Sequence, residues 1–507
     1  MFSNRIGIAP MAFVLAIFGG GLQSAHAVTD EDLRELREQV RQLKQQYESR
    51  IEALEKRLQQ AEGAAGQASV IASKAQAAAS QAAAAANKAE SAANKAETVA
   101  SKAEGVAQEA AVQASSRQSS ESAMNPGLSL ILNGTYGNLS QDPATYRING
   151  FTPTGGEVAP VGRGLSLGES ELVFSANVDP RFRGTLIARL GADETVGIEE
   201  GFIQTLGLSN GFTAKAGRFF SSVGYQNLLH PHAWDFADAP LANKVFLGNQ
   251  LGEDGLHVKW VAPTDLYFDV GMEIGRGRTF PAGPAGGRAK NGFGSGNLFA
   301  HLGGDIGASS AWQIGLSYLR TEPQGRNYQD AESAGVNVTN SFNGKSRLWA
   351  LSGVYKWSPL GNASIYNFKL QAEYFRRAEQ GNLVFDTAAA SAGGTQTGSI
   401  TSRQSGWYGQ GVYQFAQSWR AGYRYDKLDS GSTSLGLVAA GALTAADFPV
   451  LARYSPTRST WMIDWSGSEF SRLRLQFAKD KSRAGTTDNQ VVLQYIMSLG
   501  AHGAHKF

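Results

Sequence analysis

LYFDVGMEI, residues 266–274, places Leu266, Phe268, Val270, Met272 and Ile274 on one side of an extended chain, with Tyr267, Asp269, Gly271 and Glu273 on the other. Strand side chains alternate between faces, so the stretch reads as a strand with one apolar and one polar surface. The pattern returns along the chain. Trp312, Ile314, Leu316 and Tyr318 alternate with Gln313, Gly315 and Ser317, and Phe368, Leu370, Ala372 and Tyr374 with Lys369, Gln371 and Glu373. Trp419, Ala421, Tyr423 and Tyr425 alternate with Arg420, Gly422, Arg424 and Asp426. A soluble sandwich would alternate in the same way. Two features favour a membrane barrel: Trp and Tyr cluster near strand ends, and short turns alternate with long loops.

The short turns are Asp179-Pro180, Ser209-Asn210, Pro263-Thr264, Gly307-Ala308, Pro359-Leu360, Gln417-Ser418 and Gly467-Ser468. Between them lie Gly-, Asn-, Ser- and Pro-rich stretches at 138–164, 276–294, 322–343, 379–400 and 429–450. Seven short turns plus a first and a last strand predict an all-β transmembrane barrel of about sixteen antiparallel strands over residues 128–507. An even count returns both ends of the barrel to one side of the membrane.

The preceding residues are of another kind. Arg5, the apolar stretch Ile6–Leu22 and the small-residue run Ser24-Ala25-His26-Ala27 predict a signal peptide over 1–27, and so export to the cell envelope. Residues 28–62 carry Leu33, Leu36, Val40, Leu43, Tyr47, Ile51, Leu54 and Leu58 at spacings of three and four, with a four-residue stutter at Tyr47. That is a charged coiled coil. Residues 63–114 are Ala-rich with a seven-residue echo (Asn87-Lys88-Ala89-Glu90, Asn94-Lys95-Ala96-Glu97, Ser101-Lys102-Ala103-Glu104), which predicts a continuing coiled coil. Roughly 85 helical residues would reach about 125 Å, a large part of the periplasm's depth. Residues 115–127 read as a polar linker. Phe507 supplies an aromatic C-terminus of the kind that bacterial barrels present to their assembly machinery.

The composition excludes other classes. Lys and Arg number 46 against 44 Asp and Glu, so nothing points to nucleic acid. There is no Cys, which excludes disulfide scaffolds and thiolate metal sites. No compact Ser-His-Asp spacing stands out, His257 and His301 read as strand-end residues, and no enzyme is expected. A TonB-gated receptor would need about 22 strands and a folded plug in place of the coiled coil. A plain envelope anchor would need only about eight strands.

With signal peptide, coiled coil, Gly-rich sixteen-strand pattern and terminal Phe in hand, the chain resembles porins of the phosphate-selective O and P type and their coiled-coil-bearing trimeric relatives that pass small carboxylates. Segments such as GLSLGESEL (164–172), FRGTLIARL (182–190), KAGRFFSSVGYQN (215–227) and HPHAWDFADAPL (230–241) look specific to such a family. The resemblance implies a homotrimer in outer-membrane lipid that passes small solutes, with its coiled coil in the periplasm and its long third loop folded inward. Here that loop is 220–253. The phosphate-selective type owes its selectivity to a lumenal arginine ladder and to lysines on this loop, yet the loop carries only Lys244. The expected pore lining is basic but mixed: Arg183, Arg189, Lys215, Lys369, Arg420, Arg424, Arg472 and Arg474 against Glu171, Asp269, Glu273, Glu373, Asp426 and Asp464. A modest anion preference is expected rather than phosphate specificity.

The third loop holds the densest set of functional groups, His230, His232, Trp234, Asp235 and Asp238, beside Lys244. It forms the expected pore constriction. His230, His232 and Asp235 could also ligate a divalent metal, or the loop could be ordinary turn structure. His502 and His505 form a second spaced pair, most simply a solvated tail. Contact of the coiled coil with peptidoglycan stays open.

Overall fold

The computed structural model describes residues 126–500 apart from 156–157, 192–194 and 284–290, together with twelve scattered positions between 38 and 81. The chain divides into two compact units, Met1–Ala111 and Val112–Phe507. In the first unit the described residues, Glu38, Arg41, Glu52 and Lys74 among them, are helical and exposed. The expected signal peptide, the linker up to Asn125, the terminal Phe507 with His502 and His505, and most of the coiled coil lie outside the described residues.

The second unit is a barrel. Its strands are β1 (Gly127–Leu139), β2 (Gly164–Leu167), β3 (Ser170–Asp179), β4 (Phe182–Leu190), β5 (Val196–Thr205), β6 (Phe212–Phe220), β7 (Gly252–Val261), β8 (Tyr267–Gly275) and β9 (Ser295–Ile306). They continue with β10 (Ser310–Thr321), β11 (Arg326–Ala331), β12 (Asn337–Trp357), β13 (Asn367–Phe385), β14 (Gln396–Ala416), β15 (Trp419–Leu435), β16 (Thr457–Ser468), β17 (Ser471–Lys481) and β18 (Asp488–Gly500). Each antiparallel neighbour follows in sequence, and β1 pairs β18 from Ser129↔Gly500 to Leu139↔Gln490, which closes the sheet. Closure leaves no edge strand among the strands that ring the barrel. Two of the eighteen segments are accessory. Short β2 continues β3 along the upper part of β1, and β11 pairs only with the loop end of β12. The barrel therefore has sixteen strands, as the turn count predicts.

The alternation seen in the sequence sorts the faces. On β12, Leu348, Ala350, Ser352 and Val354 are buried toward the lumen, whereas Trp349, Leu351 and Trp357 are exposed on the outside. Outward Trp349 and Trp357 bound an apolar belt, with Arg347 beyond the first. Eight residue steps cover about 27 Å of strand, or about 20 Å along the axis at the usual tilt, close to the band of a membrane barrel. Arg376 faces Trp349 across the β12–β13 ladder, and Lys427 faces Trp407 across β14–β15, so cations rim the belt on the loop side.

The ends differ from expectation in several places. The last short turn sits at Glu469-Phe470, shifted by an irregularity between Trp465 and Ser468. The stretches 322–343 and 379–400 are more than half strand, because β12, β13 and β14 run 21, 19 and 21 residues, and 429–450 opens with the end of the 17-residue β15. About ten residues suffice to cross a bilayer, so these strands project well past the belt. Short and long connections do not alternate strictly either, because 191–195 and 482–487 are brief.

Candidate functional site

The connection from β6 to β7, residues 221–251, turns into the lumen instead of away from it. Its first turn is seated on two inward glutamates. Ser221 Oγ and the Ser222 amide donate to Glu273 at 2.5 and 2.8 Å. Glu373 accepts from the Tyr225 amide and from the Tyr408 hydroxyl at 2.7 Å. Gly224, at φ +74°, passes so close that a Cβ would lie 2.4 Å from Glu373 Oε1, which leaves room only for glycine. Asn227 then joins the loop's two ends, donating to the Ser221 and Leu251 carbonyls and accepting from the Leu251 amide at 2.7 Å.

Further on, the loop forms a short helix, α1 (Leu241–Leu247), which follows Pro240 and ends at Gly248 in the left-handed region. Leu241, Val245, Phe246 and Leu247 are fully buried against lumen-facing Leu348, Phe375, Tyr408 and Leu428, and against Ile148 and Phe151 of the first loop. An apolar core thus sits inside the barrel. The Leu241 amide donates to Asp426 at 2.9 Å, and Arg377 donates to the Val245 carbonyl at 3.1 Å.

Between these anchors the loop carries its carboxylates to a basic wall. Asp235 meets Lys369 at 2.9 Å and Arg420 at 3.3 Å. Asp238 meets Arg424 at 3.0 Å, Lys244 at 3.5 Å and Arg458 in a very short contact. The Trp234 carbonyl accepts from Arg474 at 2.8 Å and Arg472 at 3.3 Å. Arginine guanidinium groups suit such buried carboxylate pairing.

The residues expected to line the pore therefore divide by role. Glu273, Glu373, Arg424 and Arg474 are lumen-facing but buried beneath the loop, where they hold it. Lys369 and Arg420 border a cavity of about 510 Å³ with Lys356, Asp235 and Asp305. Lys215 and Asp269 border a larger one of about 930 Å³. Both open among residues near the short turns. Arg183 bonds Ser175 and Asn177, and Arg189 pairs with Glu169. Lys244 is buried against Asp238 and presents no charge to a pore. His257 and His301 are mid-strand rather than at strand ends. His301 bonds Asp269 at 2.7 Å, and His257 lies 3.9 Å from Glu273.

The expected metal set is not brought together, because Asp235 belongs to the basic wall. His230 and His232 instead meet three glutamates on the opposite side of the lumen. His230 Nδ1 stands 3.2 Å from Glu199 and 3.3 Å from Glu171, and its Nε2 stands 3.1 Å from Glu200. His232 Nδ1 is 2.8 Å from Glu171. Glu199 and Glu200 are neighbours in sequence, yet both face the histidine. The β4–β5 register jumps between Ile187↔Glu200 and Ala188↔Ile198, a bulge that leaves Glu199 unpaired and turns it inward. Strict alternation would have sent one of the two outward, so sequence reasoning missed them. It also missed Arg458, which the outward Trp461, Ile463 and Trp465 could have revealed by parity.

No protein-family model matches the chain. An uncharacterized protein of Aquifex aeolicus (strain VF5) is 29% identical over 412 residues, 76% of this chain and 81% of that one. Among solved structures, the loop L8 deletion mutant of OmpT, an outer membrane protein of Vibrio cholerae, superposes with a TM-score of 0.45 at 11% identity, covering 74% of this chain and 99% of that one. OprB of Pseudomonas putida gives 0.43 at 12% identity, with 74% and 94% covered. The outer membrane channel DcaP of Acinetobacter baumannii gives 0.41 at 11%, with 75% and 99% covered.

Proposed function

We propose that the chain is an outer-membrane porin through which small hydrophilic solutes diffuse passively, assembled as a homotrimer with its coiled coil in the periplasm. The observation that carries this is the closed sixteen-strand barrel, apolar outside and charged inside, with a 31-residue loop folded across its lumen. A membrane barrel must turn its apolar side to lipid, and its polar interior then offers solutes an aqueous route. Sixteen strands are wider than an anchor needs and fewer than a plugged receptor uses.

The selectivity element in this reading is the third loop. Most of the basic wall is engaged by Asp235, Asp238 and the Trp234 carbonyl, which reduces its effect on passing ions. Lys356, Lys369 and Arg420 around the 510 Å³ cavity outnumber Asp235 and Asp305 there, which supports a weak anion preference. Reversal potentials across a salt gradient test this, and should lie modestly on the anion side. Clear cation selectivity would contradict the preference while leaving the porin reading intact. Liposome swelling with sugars of graded size should show entry of small sugars and a sharp cut-off. No swelling with any sugar would count against passive diffusion.

A further inference from the structure

The histidine–glutamate cluster across the lumen from the basic wall has a composition that hydrogen bonding alone does not explain. Three carboxylates converge on two imidazoles, and Glu171 and His232 are nearly inaccessible, at 1% and 7% exposure. Glu171 Oε2 has no well-aligned hydrogen bond even so, only the His230 Nδ1 contact at 3.3 Å. A buried carboxylate oxygen left in that condition is costly unless a cation answers it. One answer would be an imidazolium at His230, with both ring nitrogens donating. That still leaves more negative than positive charge among five groups.

The ligand atoms have the spacing of a coordination shell. A tetrahedral ion with bonds near 2.0–2.1 Å holds its ligand atoms about 3.3 Å apart. His230 Nδ1 lies 3.2 Å from Glu199 Oε2 and 3.3 Å from Glu171 Oε2, and all three atoms fall within 4.8 Å of one another. The groups behind them also fit. Metal-bound histidines usually give their other ring nitrogen to a carboxylate, and Glu200 Oε2 is 3.1 Å from His230 Nε2. Glu200 is itself fixed by the Phe220 amide at 2.9 Å. His232 Nδ1 holds the second oxygen of Glu171 at 2.8 Å. The bulge in β5 is what makes the set possible, since it aims Glu199 and Glu200 at the same ring.

We propose that His230 Nδ1, Glu171 and Glu199 form a three-ligand site for a divalent transition-metal ion, with zinc the best match, and that Glu200 and His232 orient the ligands. One imidazole with two carboxylates suits zinc better than calcium or magnesium, which take oxygen ligands. Glu171, Glu200, His230 and His232 line the 930 Å³ cavity, so the fourth position opens to solvent rather than being closed by protein. The ion would pin the His230–His232 end of the loop to β3 and β5, as Asp235 and Asp238 pin its middle to the opposite wall.

The test is zinc binding by calorimetry to the full chain in detergent, with His502 and His505 replaced by Ala to remove the tail pair. One zinc per chain is expected. Glu199→Gln should weaken it at least a hundredfold, Glu200→Gln about ten- to a hundredfold, and Asp330→Asn, on β11 away from the third loop, not at all. Cobalt, added to the chain that keeps all five cluster residues, should give the intense visible absorption of a tetrahedral site, which guards against a variant that fails to fold. Absence of saturable zinc binding, absence of that cobalt spectrum, or unchanged affinity in folded Glu199→Gln would each overturn the proposal. Binding is read without ion conduction, so its failure is distinct from failure of the porin reading.

Discussion

Replacing Asp238 by Asn should unseat the middle of the third loop without dissolving the barrel. Asp238 Oδ1 accepts from Arg424 and from Gln476 at 3.0 and 3.1 Å, while Oδ2 faces Arg458 and Lys244. Those three cations are 1–2% exposed, and water cannot take over the lost charge. Removing one partner of a buried pair costs about 3–5 kcal/mol. Arg424 keeps Asp426 at 3.0 Å and Arg458 keeps Asp480 at 3.6 Å, which places the cost at the lower end. About 3 kcal/mol is roughly a hundredfold in the equilibrium between seated and unseated loop. The strand ladder is untouched, so the variant should still insert as a folded barrel. Limited proteolysis between 230 and 250 should accelerate, and single-channel recordings should become noisier. Proteolysis and noise indistinguishable from the parent protein would refute the argument that Asp238 holds the loop.

Phe246→Ala should lower stability by about 3–5 kcal/mol, read as a fall in unfolding midpoint, because the ring is fully buried between Phe151 and Phe375 at centroid distances of 5.9 and 5.8 Å. A pH effect is expected at the loop end of the barrel, where burial pushes the Asp330 carboxyl on β11 up to about 6 from 3.8, against the opposing pull of the Val450 amide. The folded state prefers the neutral acid, so this packing is strongest below about pH 4, weakens as pH rises through 4–6 and stays weaker above. Hydrogen-exchange protection of the Val450 and Leu451 amides, taken relative to their intrinsic rates, should follow that course and become flat in Asp330→Asn; flat protection in the parent chain would contradict it.

The barrel was legible because a lipid-facing strand must obey a period of two, and because short turns need Gly, Pro, Asn or Asp. The same logic turns Glu273, Glu373, Arg424 and Arg474 inward, and in the structure all four lie buried beneath the third loop. It could not tell a wall exposed to solvent from one covered by a loop, since which inward charges meet Asp235 and Asp238 is decided by where residues 221–251 settle. Nor could it see the β5 bulge, where one extra residue reverses the parity on which face assignment depends. Loop lengths were overstated because, past the apolar belt, Ser, Thr and Gly strands are polar on both faces and look like coil.

The central claim is that solutes cross through this barrel. Purified protein added to a planar lipid bilayer should produce discrete, ohmic conductance steps, smaller than those of an unobstructed sixteen-strand pore because the third loop and α1 occupy the lumen. Silence at every voltage from a folded, inserted protein would contradict it.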